Sequence, residues 1–140
     1  MDDSELQTFL DSLAHATSVE DILALPSETE AVMISQMDDQ KAEALTALPC
    51  LRVLLTDGNN RTSDDGVAFL VRISTLCGLD LEWSDVTDLG VRSLAELRGL
   101  TWLDLGGCSG VSDAAVDWFR LQLPECVVEY WPIGADTRSN

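Results

Sequence analysis

The sequence predicts an α/β fold: a short right-handed solenoid with parallel strands on its concave side, helices on its convex side and a helical N-terminal cap. Three observations carry this. A nine-residue pattern recurs at spacings of 25 and 24 residues, a polar helix-start motif follows each copy, and apolar residues switch from alternation to helical spacing within each copy.

The pattern itself occupies Leu51-Arg-Val-Leu54-Leu-Thr56-Asp-Gly-Asn59, Leu76-Cys-Gly-Leu79-Asp-Leu81-Glu-Trp-Ser84 and Leu100-Thr-Trp-Leu103-Asp-Leu105-Gly-Gly-Cys108. Alternation with period two buries the fourth and sixth positions of each copy and turns the third, fifth and seventh outward. After each strand comes a helix opening: Thr62-Ser63-Asp64-Asp65-Gly66-Val67, Val86-Thr87-Asp88-Leu89-Gly90-Val91 and Val111-Ser112-Asp113-Ala114-Ala115-Val116. Hydroxyl and carboxylate oxygens there can accept the orphan N–H groups of a first helical turn, and the small Gly or Ala permits close packing. Apolar stripes follow at Val67, Leu70 and Val71, at Val91, Leu94 and Leu97, and at Val116, Phe119 and Leu123, which fits helices lying behind the strands. The ninth residues, Asn59, Ser84 and Cys108, fall where the chain leaves the strand, so Cys108 is expected to be structural rather than nucleophilic.

With these residues in view, the chain resembles the cysteine-containing leucine-rich-repeat family, known from the repeat halves of F-box substrate receptors and related bacterial proteins. The match covers residues 48–131 and is best kept in Leu100–Asp113; the other copies depart from it at Ser84 and Asn59 in place of cysteine, at Thr56 in place of the third leucine, and by one residue missing before Val86. The resemblance implies a leucine-rich-repeat solenoid, in which each repeat completes its core only against its neighbours.

An open stack needs closed ends. Residues 1–47 are expected to form a helical cap, with a stripe at Leu6, Phe9, Leu10 and Leu13, Ser18 capping Val19–Leu25, and Asp38 or Asp39 capping Gln40–Leu48. Residues 31–36 also lie in register with a degenerate strand, so residues 31–48 could add a repeat. Leu25-Pro26-Ser27-Glu28, followed by Ile34 and Met37, weakly resembles the opening of an F-box, which would make the chain an F-box-like substrate-receptor fragment; Thr29 and Glu30 break that pattern. At the other end Val127–Trp131 is expected to be a capping strand stopped by Pro132, leaving residues 132–140 as a tail.

Composition narrows the function. Among 140 residues, 25 acidic side chains face 8 basic ones, a net charge of −17. That balance disfavours nucleic-acid phosphates and anionic lipid as partners, and points either to a basic protein partner or to solubility in salt. Acid is spread along the chain, with −10 in residues 1–50 and −7 in residues 51–140. No run approaches the ~20 apolar residues of a membrane span, and four cysteines without a CxxC pair suit a reduced, cytoplasmic protein without structural zinc.

Chemistry is poorly supplied. His15, the one histidine, is expected to be exposed on the polar side of a helix, with nothing to make it a catalytic base. Residues 57–68 begin like a calcium loop, yet Arg61, Thr62 and Ala68 stand where a ligand, a glycine and a glutamate are required. No enzyme activity, cofactor or metal is therefore expected. Binding is instead expected on the outward strand face and its rim, at Leu55, Asp57, Asp80, Glu82, Trp83, Trp102, Asp104 and Tyr130, with Trp102 among carboxylates as anchor for a basic or aromatic partner.

Overall fold

A computed structural model describes residues 2–11 and 13–131. Helices and strands alternate along it: α1 (Asp3–Asp11), β1 (Ala14–Ala16), α2 (Val19–Leu23), β2 (Ala31–Ile34), α3 (Asp39–Leu45), β3 (Val53–Thr56), α4 (Asp64–Leu70), β4 (Gly78–Asp80), α5 (Asp88–Leu94), β5 (Trp102–Asp104), α6 (Asp113–Gln122) and β6 (Val127–Glu129). All six strands form one parallel sheet in chain order, and helices α2 to α6 pack successively against one another. Among the described residues no helix is long and apolar enough to cross a membrane.

The alternation expected for the strands holds. Leu54, Leu79, Leu81, Leu103 and Leu105 are fully buried, in one core with Val67, Leu70, Val91, Leu94, Val116 and Phe119 from the helices. Thr56, at the place of a leucine, is buried as well. One face of the sheet thus meets the helices, and the other is left open.

The N-terminal segment differs from the expected helical cap. It contributes two of the six described strands: Ala31–Ile34, within the degenerate strand offered at residues 31–36, pairs with Val53–Thr56, and Ala14–Ala16, not expected as a strand, pairs with Val32–Ile34. Burial decides against helix here: Val32 and Ile34 enter the core, and each short segment completes its hydrogen bonds on the strand beside it, β2 on β3 and β1 on β2. The helical parts of the expectation stand in α1, α2 and α3. Ser18 caps α2 through a reciprocal pair in which the Asp21 N–H donates to the Ser18 hydroxyl and the Asp21 carboxylate accepts the Ser18 N–H. Asp38, not Asp39, caps α3. Leu25–Glu28 lies in the connection from α2 to β2, while Ile34 ends a strand and Met37 follows it in a buried bend, so none of the residues likened to an F-box after Leu25 is helical. The side chains of Leu6 and Leu10, and the tail 132–140, lie outside the described residues.

Two devices repeat down the stack. At the end of each of four successive strands one residue has a left-handed backbone: Gln36 (φ 54°), Gly58 (φ 93°), Trp83 (φ 63°) and Gly107 (φ 73°). Glycine takes this conformation freely, whereas Gln36 and Trp83 hold it at a cost of about 1 kcal/mol each. The buried Lys41 ammonium donates to the carbonyls of Ser35 and Gln36, pinning the first of these turns.

The second device links neighbouring helices. Asp39, Asp64 and Asp88, each the first residue of its helix, accept hydrogen bonds from both the backbone N–H and the hydroxyl of the next helix's N-cap: Ser63, Thr87 and Ser112. Ser63, rather than Asp64, is the cap of α4. The glycine of the helix-opening motif has its reason here, since a Cβ on Gly66 would collide with the Asp39 carboxylate and one on Gly90 with that of Asp64. Among the described residues no helix follows α6, and the guanidinium of Arg120 donates to the Val128 carbonyl of β6 at 3.0 Å.

Candidate functional site

Strand register assembles the open face. Pairing places Asp80 beside Asp104 and Asp104 beside Glu129, and on the other side His15 beside Met33 and Met33 beside Leu55. Because Val53 and Leu54 pair with Gly78 and Leu79, Leu55 is followed across the sheet by Asp80. A single row perpendicular to the strands therefore reads His15, Met33, Leu55, Asp80, Asp104, Glu129. One flank of that row is Ala31, Val53, Gly78, Trp102 and Val127, by the same pairing.

The expected site residues divide on this frame. Leu55, Glu82 and Trp102 are half-buried on the open face, and Asp57 is exposed at its rim. The Ser35 hydroxyl from the neighbouring strand end is the main cause that holds the Asp57 carboxyl below its ordinary range. Asp80 and Asp104, expected to face solvent freely, are only 9% and 8% exposed. Their carboxylates are drawn down by backbone donors: Thr56 and Glu82 N–H groups donate to Asp80 at 3.2 and 3.0 Å, and the Gly106 N–H donates to Asp104 at 2.8 Å. Tyr130 does not complete the face; its hydroxyl donates to the Val111 carbonyl and its ring packs against the core. Glu129 and Trp131, its neighbours, take that place.

Three tryptophans surround the acidic half. The Trp102 indole N–H donates to the Glu129 carboxylate at 3.3 Å. Trp131 lies over Gly106 and Trp83 over Gly107, in spaces a Cβ at either glycine would fill. These two rings meet edge to face, with centroids 6.4 Å apart at 72°. Trp83, though 39% exposed, thus has a packed setting made by Gly107 beneath it and the edge of Trp131 beside it.

Electrostatically the half is uncompensated. Burial first, then Glu82, Asp80 and Glu129, push the Asp104 carboxyl up to about 6, against a single backbone donor from Gly106 that pulls it down. Asp80 is raised by burial and Glu129, and Glu82 by burial, Asp80 and Glu129. Among the described residues, every charged neighbour named as acting on these groups is another carboxylate. Oxygens of Asp80, Glu82 and Asp104 lie within 4.8 Å of one another, which makes this trio the residues that could hold a hard cation among those described.

The other residues considered for chemistry are placed elsewhere. His15 is exposed, as expected, but on strand β1 rather than on a helix. Cys108 is fully buried, its thiol donates to the Leu81 carbonyl at 3.0 Å and meets the Ser84 hydroxyl at 3.4 Å, and burial pushes its pKa up. In the first repeat the buried turn position belongs to Asn60, whose amide donates to the Asp80 carbonyl, while Asn59 is exposed. The one-residue offset follows from the helix side: Asn60 and Ser84 each stand three residues before their N-caps, Ser63 and Thr87.

Sequence reasoning did not single out Met33, and it covered Glu129 and Trp131 only as unnamed neighbours of Tyr130 at the end of the face. For Glu129 and Trp131 the signal was there: Val128 aligns with buried Leu103, and period two then turns residues 127, 129 and 131 outward. Met33 required knowing that residues 31–34 are a strand. No family model matches the chain, and no curated protein matches it.

Proposed function

We propose that the chain is a leucine-rich-repeat solenoid of the cysteine-containing kind, and that it works as a non-enzymatic, cytoplasmic protein-binding module of the adaptor or inhibitor type. Its open sheet face and rim loops take a basic patch of a partner protein. The observation that carries this is the row Asp80, Asp104, Glu129, in which like charges stand directly side by side, with Glu82 adjoining and no cation among their charged neighbours in the described residues. Such pairs destabilise a sheet on their own, and a partner's Arg or Lys converts that cost into attraction. Trp102 and the Trp83–Trp131 pair border the row with the aromatic surface that binding hot spots favour. With its six described strands the face spans about 24 Å across the strands, and the rims add to it. Four free thiols fit a reducing compartment.

Affinity capture from an extract of the cells that express the protein tests this. Wild type should retain partners that Trp102→Ala and the exposed Glu129→Lys lose, with folding of each variant checked by circular dichroism. Identical recovery with all three chains removes the open face as the binding surface.

A second reading is favoured by a different observation. Among the described residues only two ion pairs form, Arg52–Glu30 at 3.5 Å and Arg61–Asp85 at 3.7 Å, so most carboxylates stand unpaired. That suits a structural or stand-alone repeat domain whose acidity serves solubility in salt. Steep stabilisation by molar NaCl together with an empty capture experiment would favour it.

A further inference from the structure

Beyond acidity, the open face has two unlike halves. On β2 and β3 its outward side chains are Ala31, Met33, Val53 and Leu55, all apolar, whereas on β4 to β6 the central row is Asp80, Asp104 and Glu129. We infer that the face takes an extended protein segment, which lays an apolar side chain across Met33 and Leu55 and, four residues along, an arginine or lysine against Asp104 and Glu129. The inference rests on the protein-binding function proposed above and specifies its ligand.

Spacing sets the number four. Met33 and Asp104 stand three strands apart, ~14 Å at ~4.8 Å per strand. An extended chain rises ~3.3 Å per residue and returns a side chain to the same side every second residue, so positions i and i+4 cover ~13 Å and face one way. Shape favours an extended segment over a helix. Trp102 stands on one side of the central row, and Trp131, over Gly106, on the other. Those backbone positions are four residues apart along the strands, ~13 Å, and two indole thicknesses leave less than the ~10 Å diameter of a helix. Charge complementarity fixes the sign of the second anchor, because Asp104 stands between Asp80 and Glu129 and has only carboxylates as charged neighbours among the described residues. Arginine and lysine can also lay their stems along the indoles.

A random twelve-residue peptide library displayed on phage, selected on the immobilised full chain, tests the inference. Three variants run in parallel: Glu129→Lys in the row, Leu55→Asn in the apolar half, and Glu125→Lys, which makes the same charge change at an exposed site outside the row. Wild type and Glu125→Lys should enrich peptides with an apolar residue and Arg or Lys four positions apart. Glu129→Lys should lose at least tenfold of the enrichment for the cation, and Leu55→Asn should relax the apolar position alone. No enrichment, enrichment without that spacing, or equal loss with Glu125→Lys overturns the inference. Indole N–H resonances separate this failure from that of the parent reading. Selected peptides that shift the Trp102 signal but lack the spacing sink only the two-anchor segment, whereas peptides that bind without shifting any open-face resonance sink the binding surface too.

Discussion

Asp104 shows how a single carboxylate can work against the fold that holds it. Its backbone hydrogen bond to Gly106 stabilises the charged form, but burial and three neighbouring carboxylates outweigh that bond and raise its pKa from 3.8 to about 6. Between those values the folded protein holds a proton that the unfolded chain releases. Stability from this group therefore rises as pH falls through 6, is complete below about 4, and is lost above 6, where the charged form costs on the order of 2 kcal/mol. Asp104→Asn keeps an oxygen for the Gly106 N–H and removes the charge. It should stabilise the protein by about 1–2 kcal/mol at pH 7 and by nothing measurable at pH 4, read from urea midpoints at both values. A gain at pH 7 that persists unchanged at pH 4 would show that charge is not its cause. Gly90 reverses the usual helix rule. An interior Gly→Ala change ordinarily gains about 1 kcal/mol from propensity. Here the added methyl would meet the Asp64 carboxylate and the Val86 side chain, so Gly90→Ala should destabilise by about 1–3 kcal/mol in thermal unfolding.

Between elements, the Asp-to-N-cap bridges tie each helix to the next independently of the apolar core. A double-mutant cycle on Asp64→Ala and Thr87→Ala should give a coupling energy of about 1–2 kcal/mol, because both hydrogen bonds of Thr87 end on one carboxylate; additive losses would mean the bridge contributes nothing beyond each residue's local cap. This bridge also marks the limit of what the sequence disclosed. The Thr/Ser-Asp-x-Gly opening was legible as a helix start because capping is local chemistry of one turn. That its Asp serves the following helix was not, since the contact spans 23 or 24 residues and no single copy of the pattern contains it. The strands of repeats 51–108 were legible for the same local reason: leucines at a period of two, recurring at one spacing. Residues 31–34 were legible only as an alternative to helix and residues 14–16 not at all, because three- and four-residue strands carry almost no periodicity and become strands only once β3 offers hydrogen bonds to β2, and β2 to β1. The open face was half legible. Alternation identified which residues point outward, yet it could not foresee that backbone donors at strand ends would draw Asp80 and Asp104 below the surface.

For the whole molecule the governing quantity is the net charge of −17. Cations do little to offset it locally: both described ion pairs are largely exposed, with side-chain exposures of 60% and 63%, and 79% and 63%, so each contributes little. Several other cations are turned to neutral groups instead. Lys41 and Arg120 donate to carbonyls, Arg98 donates to the Gln122 carbonyl, and Arg72 lies over the Phe69 ring at 5.3 Å. Folding therefore gathers like charges that the unfolded chain keeps farther apart, and salt screens that repulsion. The Debye length falls from ~30 Å at 0.01 M to ~10 Å at 0.1 M and ~3 Å at 1 M, so most of the relief should arrive below ~0.3 M. Raising NaCl from 0.01 to 0.3 M should stabilise the protein by about 1–2 kcal/mol, or about 4–8 °C in melting temperature, with a much smaller gain up to 1 M. Neutralising three exposed acids away from the open face, as in Asp65→Asn, Glu96→Gln and Glu125→Gln together, should flatten that curve while leaving capture of a basic partner intact. The two origins of acidity would separate in this way: charge spread over the surface is felt as salt dependence of the fold, and charge gathered on the row Asp80, Asp104, Glu129 as the recognition proposed above. A triple variant that loses its partner as well as its salt dependence would show that recognition draws on the whole field of the molecule and not on that row.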